Sequence, residues 1–227
     1  MIVLAIDTSA IASAALIRCH ESYSDAAVLA SFATEDTKSH AEVLAPGIRA
    51  LVAEQELTGP DIARIVVGVG PGPFTGLRSG IATARALAFA WSVPLDGLMS
   101  LAALAWDVVE AGGPDSEFVV ATDARRKELY WARYAAGGAL LDGPHVSAPG
   151  ELPSLPVYGA GAGLYPEQLA GAGARAAPGF DSAQPTAASL GLAAVALLAA
   201  GVALPDTTPL YLRESDAQVP GPRKRAL

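Results

Sequence analysis

Apolar residues fall into two rhythms along this chain, and the switches between them mark out its elements. The first rhythm is a short unbroken run. Ile2-Val3-Leu4-Ala5-Ile6 gives way abruptly to Asp7-Thr8-Ser9, the pattern of a buried strand with a polar tip. Residues 12–18 and 26–32 read as two more strands, joined as a long-looped hairpin around the polar segment from Cys19 through His20 to Asp25. The second rhythm is helical. Ser39-His40-Ala41-Glu42 has the form of a capping box, in which the Ser hydroxyl and Glu carboxylate satisfy free N–H groups at a helix start. Leu44, Ile48, Leu51 and Val52 then recur at helical spacing, giving one apolar face that ends near Leu57, before Thr58-Gly59-Pro60.

The stretch 66–91 is the centre of the pattern. A buried strand runs into Gly70-Pro71-Gly72-Pro73, which no regular element crosses, because proline lacks an N–H and glycine favours turns. A helix follows from about Phe74. On it Gly76, Gly80 and Ala84 recur every four residues and leave one stripe almost bare, suited to a close contact inside the fold or with a partner helix. Arg78 and Arg85 flank that stripe. Residues 93–99 read as a further strand. The order so far, three antiparallel strands continuing into a parallel strand–helix segment, is that of a ribonuclease-H-like unit.

Beyond it, 101–111 reads as a helix closed by Gly112-Gly113-Pro114, and 118–122 and 129–135 read as strands around the charged turn Asp123-Ala124-Arg125-Arg126-Lys127-Glu128. That turn is either a solvated hairpin tip or a partner contact. Residues 137–179 are rich in Gly and Pro and predict loops, with one short strand at Val157-Tyr158 and a mobile Gly159-Ala160-Gly161-Ala162-Gly163 segment. An alanine-rich helix begins near Ala187. The divisions this predicts are a first half at 1–99, a second half at 100–208 with a similar order of elements, and a C-terminal segment at 209–227 ending in a frayed, solvated Arg223-Lys224-Arg225.

Composition narrows the function. At 227 residues with 52% hydrophobic and 17% charged content, the chain is globular and long enough for a sizeable core. Its net charge of -8 argues against a stand-alone nucleic-acid binder. The single Cys19 makes no internal disulfide, and Asp7 interrupts the first apolar run, so no signal peptide is read and the expected compartment is the cytoplasm. Residues 187–204 carry no charge, yet they are mostly Ala and Gly and sit at the lower length limit for a bilayer span, so they predict a core helix.

Candidate chemistry is sparse. The Gly70–Phe74 turn lacks the Lys-Ser/Thr of a phosphate loop, although exposed N–H groups at Gly70 and Gly72 would suit an anion. Asp7 ends the first strand, where a magnesium–phosphate site needs glycine to follow; Thr8-Ser9-Ala10 follow instead. An Asp7 hydrogen-bonded to its own turn is the favoured reading. A nucleotide contact would draw on Asp7, Gly70, Gly72, Gly159 and Gly161. His40 lies on a helix whose position four residues on is Leu44, so the paired-histidine spacing of a metal site is missing. Thr75 and Ser79 have no nearby His to activate them.

Five stretches, in order along nearly the whole chain, resemble the TsaB (YeaZ) family. They are Leu4-Ala5-Ile6-Asp7-Thr8-Ser9, 39–46, 70–78, Asp123-Ala124-Arg125-Arg126 with Glu128-Leu129-Tyr130, and Pro209-Leu210-Tyr211-Leu212-Arg213. Pro73 departs from the serine usual in the family. The resemblance implies an actin-like ATPase fold of two related βββαβα halves. It also implies a non-catalytic scaffold for the complex that adds threonylcarbamoyl to the adenosine beside the anticodon of tRNA. The implied partners are a TsaD-like catalytic subunit, a TsaE-like ATPase and, for the chain alone, a second copy, with tRNA contacted only indirectly and no cofactor or metal held. The implied interface comprises Ser39, His40, Leu44, Ile48, Gly76, Arg78, Gly80, Ala84 and Arg85. The alternatives are a metal-dependent peptidase or an ATP-dependent phosphotransferase of the same fold.

Overall fold

Strict alternation along the first strand makes it a two-faced centre. In β1 (Ile2–Asp7), Leu4 and Ile6 point to one side and Val3 and Ala5 to the other, and all four are fully buried. A computed structural model describes residues 1–34 and 40–213 of the chain, including side chains from residue 42 onward in the first helix. Ser39 with its capping box, the His40 side chain and the basic Arg223-Lys224-Arg225 lie outside the described residues.

The first sheet has five strands. β1 pairs antiparallel with β2 (Ser13–Arg18), and β2 with β3 (Ala27–Ala33). After α1 (His40–Glu54), β4 (Ile62–Gly68) returns parallel to β1. After α2 (Phe74–Trp91), β5 (Leu95–Leu98) adds parallel to β4. The resulting order is β3-β2-β1-β4-β5. Then α3 (Leu101–Glu110) leads to a second sheet of β6 (Phe118–Asp123), β7 (Leu129–Tyr134), β8 (Leu140–Ser147), β9 (Pro156–Tyr158) and β10 (Arg175–Ala176). Its order, β10-β9-β6-β7-β8, repeats the first with β6 in the place of β1. The two halves are thus alike in strand order.

Their helices differ. Between β8 and β9 the second half has only a single turn at Pro149–Glu151 where the first half has α1, whereas the short helices at 160–164 and 166–171 follow β9 as α2 follows β4, so of the expected βββαβα repeat only the first helix is missing. The segment expected to be loops holds more structure than its Gly and Pro content suggests: β8, α4 (Ala160–Leu164), α5 (Pro166–Gly171) and β10. Gly159-Ala160-Gly161-Ala162-Gly163 is therefore the start of a helix and not a mobile loop. Gly161 lies so close over the backbone of Ala121 in β6 that a Cβ there would sit 2.8 Å from the Ala121 carbonyl carbon. Close packing holds this helix despite glycine's poor propensity.

The helices build layers. α1 and α2 cover one face of the first sheet, where Leu44, Ile48, Leu51, Ile81 and Ala84 meet Leu4, Ile6 and Leu16. The other face takes α6 (Ala187–Ala199), through Leu190, Ala194 and Val195 on Val3, Ala5 and Ile17. The chain-order boundary near Met99 and Ser100 separates the strands of the two halves, while α6 returns to pack on the first sheet. Its Ala/Gly composition fits this position, since a Cβ at Gly191 would lie 2.6 Å from Ile17. Among the described residues no helix is long and apolar enough to cross a membrane. α3 lies against the second sheet, where Leu101, Leu104 and Val108 join Phe118, Val120 and Tyr134. Each such aliphatic side chain contributes roughly 1.5–3 kcal/mol on burial.

Two polar groups sit awkwardly in this packing. The Tyr134 hydroxyl is buried without a hydrogen-bond partner, its ring stacked 5.8 Å from Phe118, and burial pushes the phenol far up. Tyr134→Phe removes an unsatisfied donor at little loss of shape. It is expected to stabilise the fold by about 1 kcal/mol in denaturant unfolding, and a clear loss would contradict this. Burial likewise raises the Asp107 carboxyl, opposed by a hydrogen bond with Ser189 of α6. A raised folded-state value means a stability contribution fully present below the ordinary carboxyl range, near ~3.9, and lost as pH rises through the raised value. Asp107→Asn is accordingly expected to raise the melting temperature near neutral pH and to leave it unchanged in acid below the unfolded-state value. A benefit of equal size at both pH values would rule out the charge as its cause.

Candidate partner-binding face and inter-sheet cleft

The polar tip of β1 is closed on itself. The Asp7 carboxylate, fully buried, accepts from the Ser9 N–H at 2.8 Å, from the Ser9 hydroxyl at 2.7 Å and from the Ser100 hydroxyl at 2.5 Å. Ser100 also accepts from the Gly70 N–H at 3.2 Å, and its own N–H donates to the Gly70 carbonyl. Gly68 makes this approach possible, because a Cβ there would overlap Asp7 and Ser100. Asp7 thus has the role of a residue bonded to its own turn, extended to Ser100. The Gly70 N–H is engaged internally, and a Cβ at Gly72 would press on the Ser9 backbone. Gly161 likewise faces Ala121, and Gly159 adopts a φ of 103° where the chain turns into α4. Each of the five expected anion contacts is thus engaged within the chain: Asp7 by Ser9 and Ser100, Gly70 against Leu77, Gly72 against Ser9, and Gly159 and Gly161 against Ala121.

The small-residue stripe of α2 has the same fate. Gly76, Gly80 and Ala84 are buried, the Thr8 hydroxyl donates to the Gly76 carbonyl at 2.8 Å, and a Cβ on Gly80 would overlap the Thr8 side chain. Of the two readings open for the stripe, the close contact inside the fold is the one found. Leu44 and Ile48 are also core residues. Gly76, Gly80, Ala84 and Leu44 consequently face inward, while the mostly buried Ile48 also borders the groove between the helices. The bare helix presses on β1, and most of what α1 and α2 turn outward is a different set.

That outward set has two parts. Between the two helices lies a groove of about 560 Å³, mostly apolar, with Pro46, Ile48, Arg49, Val52, Leu87 and Trp91 among its lining residues. Along the exposed side of α2, Phe74, Arg78, Arg85 and Phe89 fall within about 60° of each other at 3.6 residues per turn. Phe89 is 89% exposed. The Arg78 guanidinium lies 3.6 Å over the Phe74 ring, and Arg85 donates to the Thr207 hydroxyl and carbonyl, both at 3.0 Å. Trp91 and Arg49 at the groove, and Phe89 on the opposite side of α2, are residue types enriched in protein interfaces. Phe89 and Trp91 carry no motif in the sequence. Only their spacing on a helix whose bare stripe faces inward marks them.

A second concavity, about 380 Å³, opens between the carboxyl ends of β1 and β6. Ser9, Thr122, Asp123, Arg125, Asp181 and Gln184 are among its lining residues. Asp123 ends β6 as Asp7 ends β1, a correspondence visible only once the repeated strand order is known. Its carboxylate accepts from the Arg125 N–H at 2.8 Å and pairs with the Arg125 guanidinium at 3.5 Å. Arg125, Arg126 and Lys127 are consecutive left-handed residues, with φ of 63°, 54° and 64°. Such a conformation costs an L-residue roughly 1–2 kcal/mol. Among the described residues, no three His, Cys, Asp or Glu side chains group as ligands for a metal.

Comparison with known proteins agrees with this geometry. The family model for TsaD, tRNA N6-adenosine threonylcarbamoyltransferase, matches residues 27–218. The Pseudomonas aeruginosa structure of YeaZ superposes with a TM-score of 0.74 at 27% identity, over 93% of this chain and 100% of that one. The tRNA threonylcarbamoyladenosine biosynthesis protein TsaB of Bacillus subtilis is 32% identical over 145 residues, 63% of this chain and 58% of the relative. The chain belongs to the TsaB (YeaZ) family. An uncharacterized Mycobacterium tuberculosis (strain H37Rv) protein is 40% identical over 220 residues, 95% of this chain and 93% of that one. Membership accords with the α/β architecture of two like-ordered five-stranded sheets.

Placing the TsaB-family stripe inside the fold has a direct consequence. Gly80→Leu is expected to lower stability by about 1–3 kcal/mol, the usual cost of overpacking, while Phe89→Ala leaves it within about 0.5 kcal/mol as a surface change. Thermal unfolding of both variants checks this. A Gly80→Leu protein as stable as the parent would show that α2 does not press on Thr8.

Proposed function

We propose that this chain is a non-catalytic subunit in the synthesis of threonylcarbamoyladenosine in tRNA, and that it pairs with and activates a TsaD-like catalytic subunit through the outward face of α1 and α2. The observation that carries the reading is an apolar groove between the two helices, bordered by Arg49 and Trp91, with Phe89 exposed on the other side of α2. Relatives named for threonylcarbamoyladenosine biosynthesis support the pathway. The interface expected around Arg78 and Arg85 is kept, and its apolar part moves from the buried glycines to Val52, Leu87, Phe89 and Trp91. A second copy docks on the same surface when the catalytic subunit is absent. A TsaE-like ATPase joins the pair, in the cytoplasm. With a net charge of -8, the chain leaves direct tRNA contact to its partners.

The surroundings of Asp7 support the non-catalytic reading over the phosphotransferase alternative. A carboxylate holding magnesium must face solvent or ligand, whereas this one is fully buried and accepts from Ser9 and Ser100. No specific observation favours the peptidase alternative.

Reconstitution of tRNA modification tests the proposal. Omitting the chain is expected to abolish or strongly reduce modification, and adding it back to restore it. Phe89→Asp and Arg49→Glu, both surface changes on a folded protein, are expected to weaken association with the catalytic subunit at least tenfold and to reduce modification in step. Unimpaired association by both variants would move the interface elsewhere, and full modification without the chain would remove the proposed role. Magnesium-dependent ATP turnover by the isolated chain would revive the phosphotransferase reading.

A further inference from the structure

After α6 the chain does not simply trail away. Pro205 accepts from the Gly97 N–H at 2.8 Å beside β5. Thr207 is buried and takes both hydrogen bonds from Arg85. The Leu210 N–H donates to Val69 at 2.8 Å just past β4, and its side chain packs on the core of the first sheet and also on that of the second. Tyr211 lies 4.7 Å from the Phe74 ring, centroid to centroid, and its hydroxyl accepts from Arg78 at 3.3 Å. Arg213 finally reaches the β6–β7 turn, pairing with the Glu128 carboxylate and donating to the Arg125 carbonyl at 3.4 Å. Nine residues therefore run from one edge of the first sheet, along α2, to the mouth of the cleft in the other half.

The far end of this path is the strained turn. Arg125, Arg126 and Lys127 all hold left-handed backbone, and the local bonds that close the turn are Ala124 N–H to Glu128 O and Glu128 N–H to Arg125 O, each 3.0 Å. Strain of this kind persists only where the surroundings over-determine it. Arg213 contacts both residues of the second bond from outside the hairpin. We propose that residues 205–213 are a strap, anchored on α2 by Arg85 and Arg78, whose Arg213 keeps the 123–128 turn in its left-handed form at the cleft mouth. The shape of the cleft then depends on the flank of α2, although α2 itself makes none of these contacts to the turn.

Amide hydrogen exchange on the full-length protein tests it. Arg213→Ala is expected to speed exchange at Ala124 and Glu128 about tenfold or more, with β1 and β4 amides unchanged as an internal reference for global stability. Glu128→Gln removes the same ion pair from the other side and is expected to do likewise, which keeps the test valid if the first variant folds poorly. Arg85→Ala, at the opposite end of the strap, is expected to speed exchange at Leu210 and, through it, at Ala124 and Glu128. Unchanged turn amides in both Arg213→Ala and Glu128→Gln would overturn the clamp. A faster Leu210 with an unchanged turn in Arg85→Ala would overturn the connection to α2.

Discussion

The buried carboxylate of Asp7 is the constraint around which this molecule is arranged. It draws the end of β1, the Ser9 turn and the first residue before α3 to one point, through hydrogen bonds of 2.5 to 2.8 Å. A buried carboxylate is tolerable only when so satisfied, and bonds to a charged acceptor are worth about 1.5–3 kcal/mol each. The close fit has local requirements. Gly68 must lack a Cβ beside Asp7, and Gly72 beside Ser9. Next to this point Thr8 bonds Gly76 and faces Gly80, which sets how closely α2 lies on the sheet. The polar residues at the end of β1 thus act as a joint.

From that joint follows the division of labour between the two sides of α2. Because the bare stripe is taken up by Thr8, the helix leaves Leu87 and Trp91 to the groove on one side and Phe74, Arg78 and Arg85 to the C-terminal segment on the other. The flank nearest the second half is occupied by 205–213. One helix therefore touches the central strand, the strap and the open groove shared with α1. The second half is joined to it through α3, through Leu210 and through the Arg213 contacts, so the two sheets share one continuous scaffold.

Much of this was legible in the residues. The unbroken runs around Val3 and Val66 announced central strands buried on both faces, and Leu44, Ile48, Leu51 and Val52 announced the inner face of α1. The bare stripe on α2 was legible as a close contact, but not its direction, because a row of small residues looks the same against a strand as against another protein. β8 was hidden: Asp142-Gly143-Pro144 breaks its alternation, and its ladder with β7 shifts register on either side of Arg133. α4 was hidden as well, since three glycines in five positions argue against a helix unless close packing on β6 is known. The left-handed turn at Arg125 was visible only as a charge cluster. Nothing in its composition signals positive φ, because the support comes from Arg213, far away in sequence.

The central claim is that the outward face of α1 and α2 is where this chain meets its catalytic partner. A hydrogen-exchange footprint of the assembled complex addresses it most directly. The account predicts protection concentrated at 45–57 and 85–91, with the exposed edge strand at 140–147 unaffected. Protection confined to the second sheet, with 45–57 exchanging as in the free chain, would contradict it.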